Sequence, residues 1–300
     1  VVIAERPSLD VLLPLHRLGI DIPQFVANEA ALGDRVLGEA APWGRVEQVR
    51  AVSKCDAHEL RCALVEAHPS PLWAKDLGRV CQTLDSVPAG SNLIAKAPLS
   101  ASGQHRVLLD QPSAPNWLKK QLKVGPVLVE PWFDRLVDLS VQLELGKDGS
   151  RNLGVTRFWT TASGSYRGAV LGPWSTGLSP SLLRELHGTG RGSQVNEALS
   201  VMAHFVGDAL WARGIRGPVG IDCMVVSEEG SPKLVPVLEI NPRTTMGRVA
   251  LGIHRSTGLR GGWFHLDDEA LMAAGFGDRS AFVARVMGSE GVHFTTDPER

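Results

Sequence analysis

Cysteine is scarce in this 300-residue chain: Cys55, Cys62, Cys81 and Cys223 are the whole set, and no two stand in a Cys-x-x-Cys pair. A disulfide scaffold packs cysteines far more densely, so these four read as reduced thiols of a cytoplasmic protein. A basic surplus is missing as well. Thirty-one Lys and Arg face 32 Asp and Glu, a formal net charge of −1, and the chain as a whole lacks the electrostatic footprint of a nucleic-acid binder. No stretch approaches the roughly 18 uninterrupted apolar residues of a membrane-spanning helix. The opening Val1-Val2-Ile3-Ala4 shows neither a methionine nor the charged, apolar and small-residue succession of a secretory leader. Solenoid repeats and low-complexity runs are absent. The nine histidines have no metalloprotease spacing, no Gly-x-Ser-x-Gly elbow occurs, and Gly188-Thr-Gly-Arg-Gly192 lacks the strand and the terminal Lys-Ser/Thr of a P-loop. The expectation is a soluble cytoplasmic protein with no nucleic-acid and no membrane partner.

What remains is an ordinary globular balance, 43% hydrophobic and 21% charged, with 32 Gly and 19 Pro to mark turns. The length gives room for two or three domain-sized units. Residues 1 to about 88 read as a small α/β unit. It has a short apolar start, a helix around Leu9–Leu18, a Pro/Gly-punctuated stretch through Pro42 and Gly44, and a helix from Asp56 as N-cap with Leu60, Ala63, Leu64 and Ala67 on one face. From Ser86 strands dominate: Asn92–Lys96, Val127–Glu130, an alternating run over Val137–Leu145, and Asn152–Thr161, with Gly146–Ser150 as a hairpin turn. A helix over Val195–Arg213, stopped by Gly214, precedes two more strands, Val219–Val226 and Lys233–Ile240. Hairpin-connected strands with helices to one side make the class α+β.

Three blocks carry chemistry. In Asn92-Leu-Ile-Ala-Lys96-Ala-Pro-Leu-Ser100-Ala-Ser102-Gly103, an apolar strand delivers a lysine and then a small-residue loop. Its hydroxyls and N–H groups can wrap a phosphate chain, with Lys96 as the point charge; the alternative is a plain hairpin turn with an exposed lysine. The second block places Asp222 in the middle of an apolar strand. Glu239 and Asn241 follow on the next strand, two residues apart and therefore on one face. A buried carboxylate must be paired or bind a cation, and two carboxylates with an amide oxygen are the hard ligands Mg²⁺ prefers. The alternative is a solvated strand face with Arg243 pairing Glu239. The third block ends an apolar strand in Glu130-Pro131-Trp132-Phe133, with Asp138 eight residues beyond Glu130. It suits a hinge whose backbone reads an adenine edge and a carboxylate that accepts ribose hydroxyls, although aromatics at a strand end also serve a core.

Taken together, the order and spacing of these blocks resemble the ATP-grasp superfamily, over Lys54 to Arg248. The matching pieces are Lys54 and Lys96, 42 positions apart; Glu130, Trp132, Phe133 and Asp138 as hinge and ribose ligand; Asp222 with Glu239 and Asn241; and Arg243 completing a Glu-x-Asn-x-Arg pattern. The resemblance implies two α+β subdomains gripping ATP, residues 51–133 and 134–260. A pre-grasp unit would occupy residues 1–50 and a C-terminal tail 261–300. It also implies that Lys54 and Lys96 hold the α- and β-phosphates, that Ser100, Ser102 and Gly103 form a flap over them, and that Met224 and Leu238 form the adenine shelf. Asp222, Glu239 and Asn241 would hold Mg²⁺, with Mn²⁺ as a substitute. Arg243 and Arg157 would act in catalysis, with Arg167 and Arg216 as other candidates for the second charge. Gly220 stands where some such ligases place a substrate-binding arginine. The implied activity is an ATP-dependent ligase joining a carboxylate to an amine, amino acids or peptides among them, through an acyl phosphate with release of ADP and phosphate. A phosphotransferase on the same site and a catalytically silent nucleotide binder are the alternatives.

Overall fold

The computed structural model describes residues 2–3, 25–26, 52–99, 105–160, 166–188, 193–257 and 263–265. The expected helix around Leu9–Leu18, the flap residues Ser100, Ser102 and Gly103, and nearly all of the 1–50 and 261–300 segments lie outside the described residues. Of the first segment, β1 (Val2–Ile3) and β2 (Phe25–Val26) pair in parallel.

Helix α1 (Lys54–Ala67) begins two residues before the expected cap. Ser53, in extended backbone, is the N-cap: its hydroxyl accepts from the Asp56 N–H at 3.2 Å, and the Asp56 carboxylate accepts from the Ser53 N–H at 2.7 Å. Asp56 is thus the far half of a capping box, which satisfies two orphan donors reciprocally. The shift puts Lys54 in the first helical turn.

Strands β3 (Arg79–Cys81), β4 (Leu93–Lys96), β5 (Arg106–Leu108) and β6 (Val127–Pro131) form an antiparallel sheet in the order β3-β6-β4-β5. One face packs on α2 (Ala114–Gln121), burying Ala95, Val107, Val127 and Val129 against Ala114 and Leu118. Side chains alternate along a strand, so the other face carries Ile94, Lys96, Leu128 and Glu130, where Lys96 pairs with Leu128 and Ile94 with Glu130.

A second, six-stranded antiparallel sheet contains β7 (Arg135–Gly146), β8 (Gly149–Thr160), β9 (Tyr166–Val170), β10 (Gly217–Glu228), β11 (Ser231–Asn241) and β12 (Trp263–His265). Their order is β11-β10-β7-β8-β9-β12. The expected hairpin turn joins β7 to β8, with Gly146 opposite Gly149. Before β10 come α3 (Pro180–His187) and α4 (Gln194–Ala212); Arg213 caps α4 and Gly214 follows with φ 82°, which suits the residue that stops a helix.

Helix α4 lays Val195, Leu199, Met202, Val206 and Leu210 on the face of the sheet made by Leu139, Val141 and Leu143 of β7 and Val219, Ile221, Cys223 and Val225 of β10. Each large side chain so buried contributes about 1.5–3 kcal/mol relative to exposure. This apolar face fixes the sheet, and the opposite face is left to polar residues: Asp138, Ser140 and Gln142 on β7, Asp222 and Met224 on β10. Helix α5 (Met246–Thr257) follows β11 and crosses that polar face, and Thr245 just before it donates to Gln142 Oε1 at 2.7 Å. The molecule is α+β, as its pattern of strands implied.

The β10–β11 pairing carries one irregularity. Asp222 faces Glu239 while Met224 faces Val235, so Pro236, Val237 and Leu238 together oppose Cys223 alone. Val237 sits at φ 48° inside this bulge and is fully buried.

Candidate functional site

A cleft of about 450 Å³ opens between the two sheets. The four-stranded sheet contributes Ile94, Lys96, Arg106 and Glu130; the six-stranded sheet contributes Asp138, Phe158, Thr160 and Met224; the connecting segment contributes Trp132 and Phe133. Its volume lies within the range of small-molecule pockets. Met224, Leu238 and Phe133 meet in one apolar cluster with Ala74, Val226 and Val235. The Trp132 N–H is engaged by Asn92 O at 2.6 Å, and the Trp132 ring carries Arg106 above it at 5.2 Å, a cation–π contact.

Glu130, at the expected hinge, is a buried ion, 1% exposed. One carboxylate oxygen accepts from Lys96 Nζ and the other from the Arg61 guanidinium at 3.3 Å. Burial alone would raise the Glu130 carboxyl, but the charges of Lys96 and Arg61 outweigh it and hold the group below the usual carboxylate range. Asp138 is also buried, and its Oδ2 accepts from Arg135 and from the Thr160 hydroxyl, both at 3.2 Å. Burial here wins over Arg135 and pushes the carboxyl upward.

Two rows run across the polar face of the large sheet. One consists of Glu239, Asp222, Ser140 and Thr156; the next, two residues along, consists of Met224, Asp138, Phe158 and Ala169. Met224, Asp138 and Phe158 of the second row line the cleft, and the first row sets Asp222 and Glu239 directly opposite each other on adjacent strands. Asp222 accepts from the Ser140 hydroxyl at 2.7 Å and from Asn241 Nδ2 at 3.1 Å. Among the described residues no cation pairs with it. Burial, and then the Glu239 charge beside it, push its carboxyl up to about 7. Glu239 is held by Lys54 Nζ at 2.5 Å. Arg243 does not take that carboxylate: it donates to Asn241 Oδ1 at 3.3 Å and to Thr244 O at 3.2 Å. Among the described residues no group of three His, Cys, Asp or Glu side chains gathers as a metal site; the oxygen set is two carboxylates and an amide.

The structure separates the other arginine candidates. Arg157 lines the cleft, with Nη2 donating to Thr176 O at 2.5 Å. Arg216 caps carbonyls at the end of α4 and stacks on Trp211 at 4.6 Å, and Arg248 pairs with Glu144 at 2.5 Å. The Arg167 side chain lies outside what is described. Sequence reading missed three cleft or site residues, Arg61, Arg106 and Arg135, and a fourth, Tyr166. Among the described residues the buried Tyr166 hydroxyl has no hydrogen-bond partner, and burial followed by the Asp222 charge raises its pKa. The ring of this tyrosine, the only one in the chain, stacks on Phe158 with centroids 6.0 Å apart.

No known family description and no curated protein matches the sequence. Solved structures do. N5-carboxyaminoimidazole synthetase from Staphylococcus aureus, complexed with ADP, matches at TM-score 0.45 and 10% identity over 81% of this chain and 65% of its own. The chain is similar to ATP-grasp structures. An ATP-grasp superfamily protein from Archaeoglobus fulgidus matches at TM-score 0.38 and 19% identity over 73% of this chain and 54% of its own. An L-amino acid ligase from Bacillus licheniformis matches at 0.41 and 13%, over 68% and 43%. The chain spans about half the length of the structures it matches first.

Proposed function

We propose that the cleft binds ATP and that the protein is an ATP-dependent ligase joining a carboxylate to an amine. The observation that carries this reading is that Lys96 lines the cleft together with Asp138 and Met224, while on the same sheet face Lys54 pairs with Glu239, which stands opposite Asp222. Each lysine is held by a carboxylate, Glu239 and Glu130 respectively. Polyphosphate and a divalent cation are the partners such a set fits: the phosphates take the ammonium groups, and the cation takes the released carboxylates.

The donor set suits Mg²⁺. Asp222 and Glu239 are adjacent like charges, Asp222 half-buried and with no cationic partner among the described residues, and Asn241 adds an amide oxygen. These three residues would hold the ion, which when bound neutralises phosphate charge. Met224, Leu238 and Phe133 offer the adenine an apolar wall, and Asp138 lies in reach of a ribose across the cleft. Lys54 and Lys96 hold phosphate oxygens. Arg243, which donates to Asn241 Oδ1 beside the carboxylates, would meet the charge that develops on a transferring phosphoryl group. In the reaction a substrate carboxylate oxygen bonds to the γ-phosphorus as the bond to ADP breaks. An amine nitrogen then bonds to the acyl carbon as phosphate leaves. Positioning and charge neutralisation supply the catalysis.

The test is ADP and phosphate release with Mg·ATP across paired carboxylates and amines, amino acids first. We expect release only when both partners are present, and Arg243→Ala should keep nucleotide affinity while losing turnover by orders of magnitude. ADP formed with a single acceptor, phosphate remaining on it, identifies a phosphotransferase and overturns the ligase reading.

A further inference from the structure

Arg61 is the most deeply buried cation among the described residues, 0% exposed. It sits on α1 between Leu60 and Leu64, both core residues. Its guanidinium reaches three elements at once. Nη1 donates to Leu77 O at 2.9 Å; Nη1 and Nη2 approach Glu130 Oε2 at 3.3 and 3.4 Å; Nε and Nη2 donate to Val237 O at 3.2 and 3.1 Å. A buried ion pair is weak evidence for stability, because removing both charges from water costs about what their attraction returns. Its geometric consequences are therefore the more informative ones, and here there are two.

The first runs through Glu130. Arg61 takes one oxygen of that carboxylate and Lys96 takes the other, so the guanidinium fixes the carboxylate that fixes the lysine. The second runs through Val237. A β-branched residue at φ 48° is strained and persists only where its surroundings impose it. Arg61 supplies that constraint with two bonds to the Val237 carbonyl. The bulge held this way decides the register. With Met224 opposite Val235, a regular antiparallel ladder would set Val237 opposite Asp222. The bulge instead sets Glu239 there.

We infer that Arg61 is a positioning residue that aligns Lys96 and Glu239 together. The inference rests on the proposed nucleotide site and adds to it the residue that couples its phosphate side to its cation side. Only a forked, planar donor reaches Glu130, Leu77 O and Val237 O from one position; lysine keeps the charge but is a point donor.

The experiment measures ATP affinity with and without Mg²⁺, and the Mg²⁺ concentration for half-maximal effect, in wild type, Arg61→Lys, Lys96→Ala and the double variant. For Arg61→Lys we expect a folded protein, an ATP affinity lowered about tenfold or more, as for loss of a bond to a charged group, and a raised Mg²⁺ requirement. In the Lys96→Ala background the affinity penalty should shrink, because it acts through that lysine, while the raised Mg²⁺ requirement should persist. A residue that only stabilises the fold would lower the melting temperature and leave affinity and Mg²⁺ dependence unchanged. That result, or penalties that simply add, overturns the inference. Glu130→Gln is the second variant, should Arg61→Lys not fold. It cuts the Lys96 branch alone, so affinity falls with the Mg²⁺ requirement unchanged, and a change in both or neither counts against the inference. A wild type that binds no ATP instead removes the proposed function itself.

Discussion

At the scale of single residues the site is a set of charges wholly or partly withdrawn from water that differ in whether they are answered. Glu130 is answered twice, by Lys96 and Arg61, and its carboxyl is held low. Asp222 has only a hydroxyl and an amide, and burial with Glu239 alongside holds it high, at about 7. The sign of the pH effect follows. Between the unfolded value near 3.8 and about 7 the folded chain binds more protons at this site than the unfolded chain, so metal-free stability falls as pH rises through that window and is flat above it. Asp222→Asn removes the titration. We therefore expect the variant to gain melting temperature relative to wild type between pH 5 and pH 8 in chelator; an unchanged difference across that range would show that Asp222 ionises freely. Asp222 was legible in the sequence because its apolar flanks declare a buried strand. Arg61 was not: an arginine within an amphipathic helix usually lies exposed, and nothing local announces a partner that is 69 or 176 residues away.

At the scale of elements the strands and the long helix α4 follow from alternation and helical spacing, so their existence was readable while their ends were not. The start of α1 shows why. Ser53 and Asp56 are both good caps, and the choice between them is made by the reciprocal bonds of a box three residues long. The bulge in β11 escaped notice, although Pro236 within it is a signal, since proline cannot donate to a ladder and inside sheets marks edges and bulges. Packing of α4 on the β7–β8 hairpin is close enough to test directly. A Cβ at Gly207 would lie 2.5 Å from Ser150 Oγ, 2.7 Å from Ser150 Cβ and 3.2 Å from Leu143 Cδ1. Alanine gains up to about 1 kcal/mol of helix propensity over glycine, but overpacking typically costs about 1–3 kcal/mol. Gly207→Ala should thus lower the urea midpoint, and an equal or higher midpoint would mean that α4 rides farther from the sheet.

At the scale of the molecule, two antiparallel sheets face a common cleft; each packs an apolar side on helices, and the polar side of the large sheet is shared between the cleft and α5. That division explains how a chain with a net charge of −1 concentrates lysines, arginines and carboxylates in one place. The motifs themselves were readable along the chain; the ion pairs among them arise only from the fold, since Lys54 and Glu239 are 185 residues apart. On the proposed function, this cleft takes ATP together with a divalent cation held by Asp222 and Glu239. Isothermal titration of the wild-type chain with ATP, with and without Mg²⁺, beside Lys96→Ala and Glu239→Ala, tests it most directly. Saturable binding strengthened by Mg²⁺ in wild type, weakened in Lys96→Ala and no longer strengthened by Mg²⁺ in Glu239→Ala is the expected result. No binding in wild type, or a full Mg²⁺ effect surviving in Glu239→Ala, would contradict it.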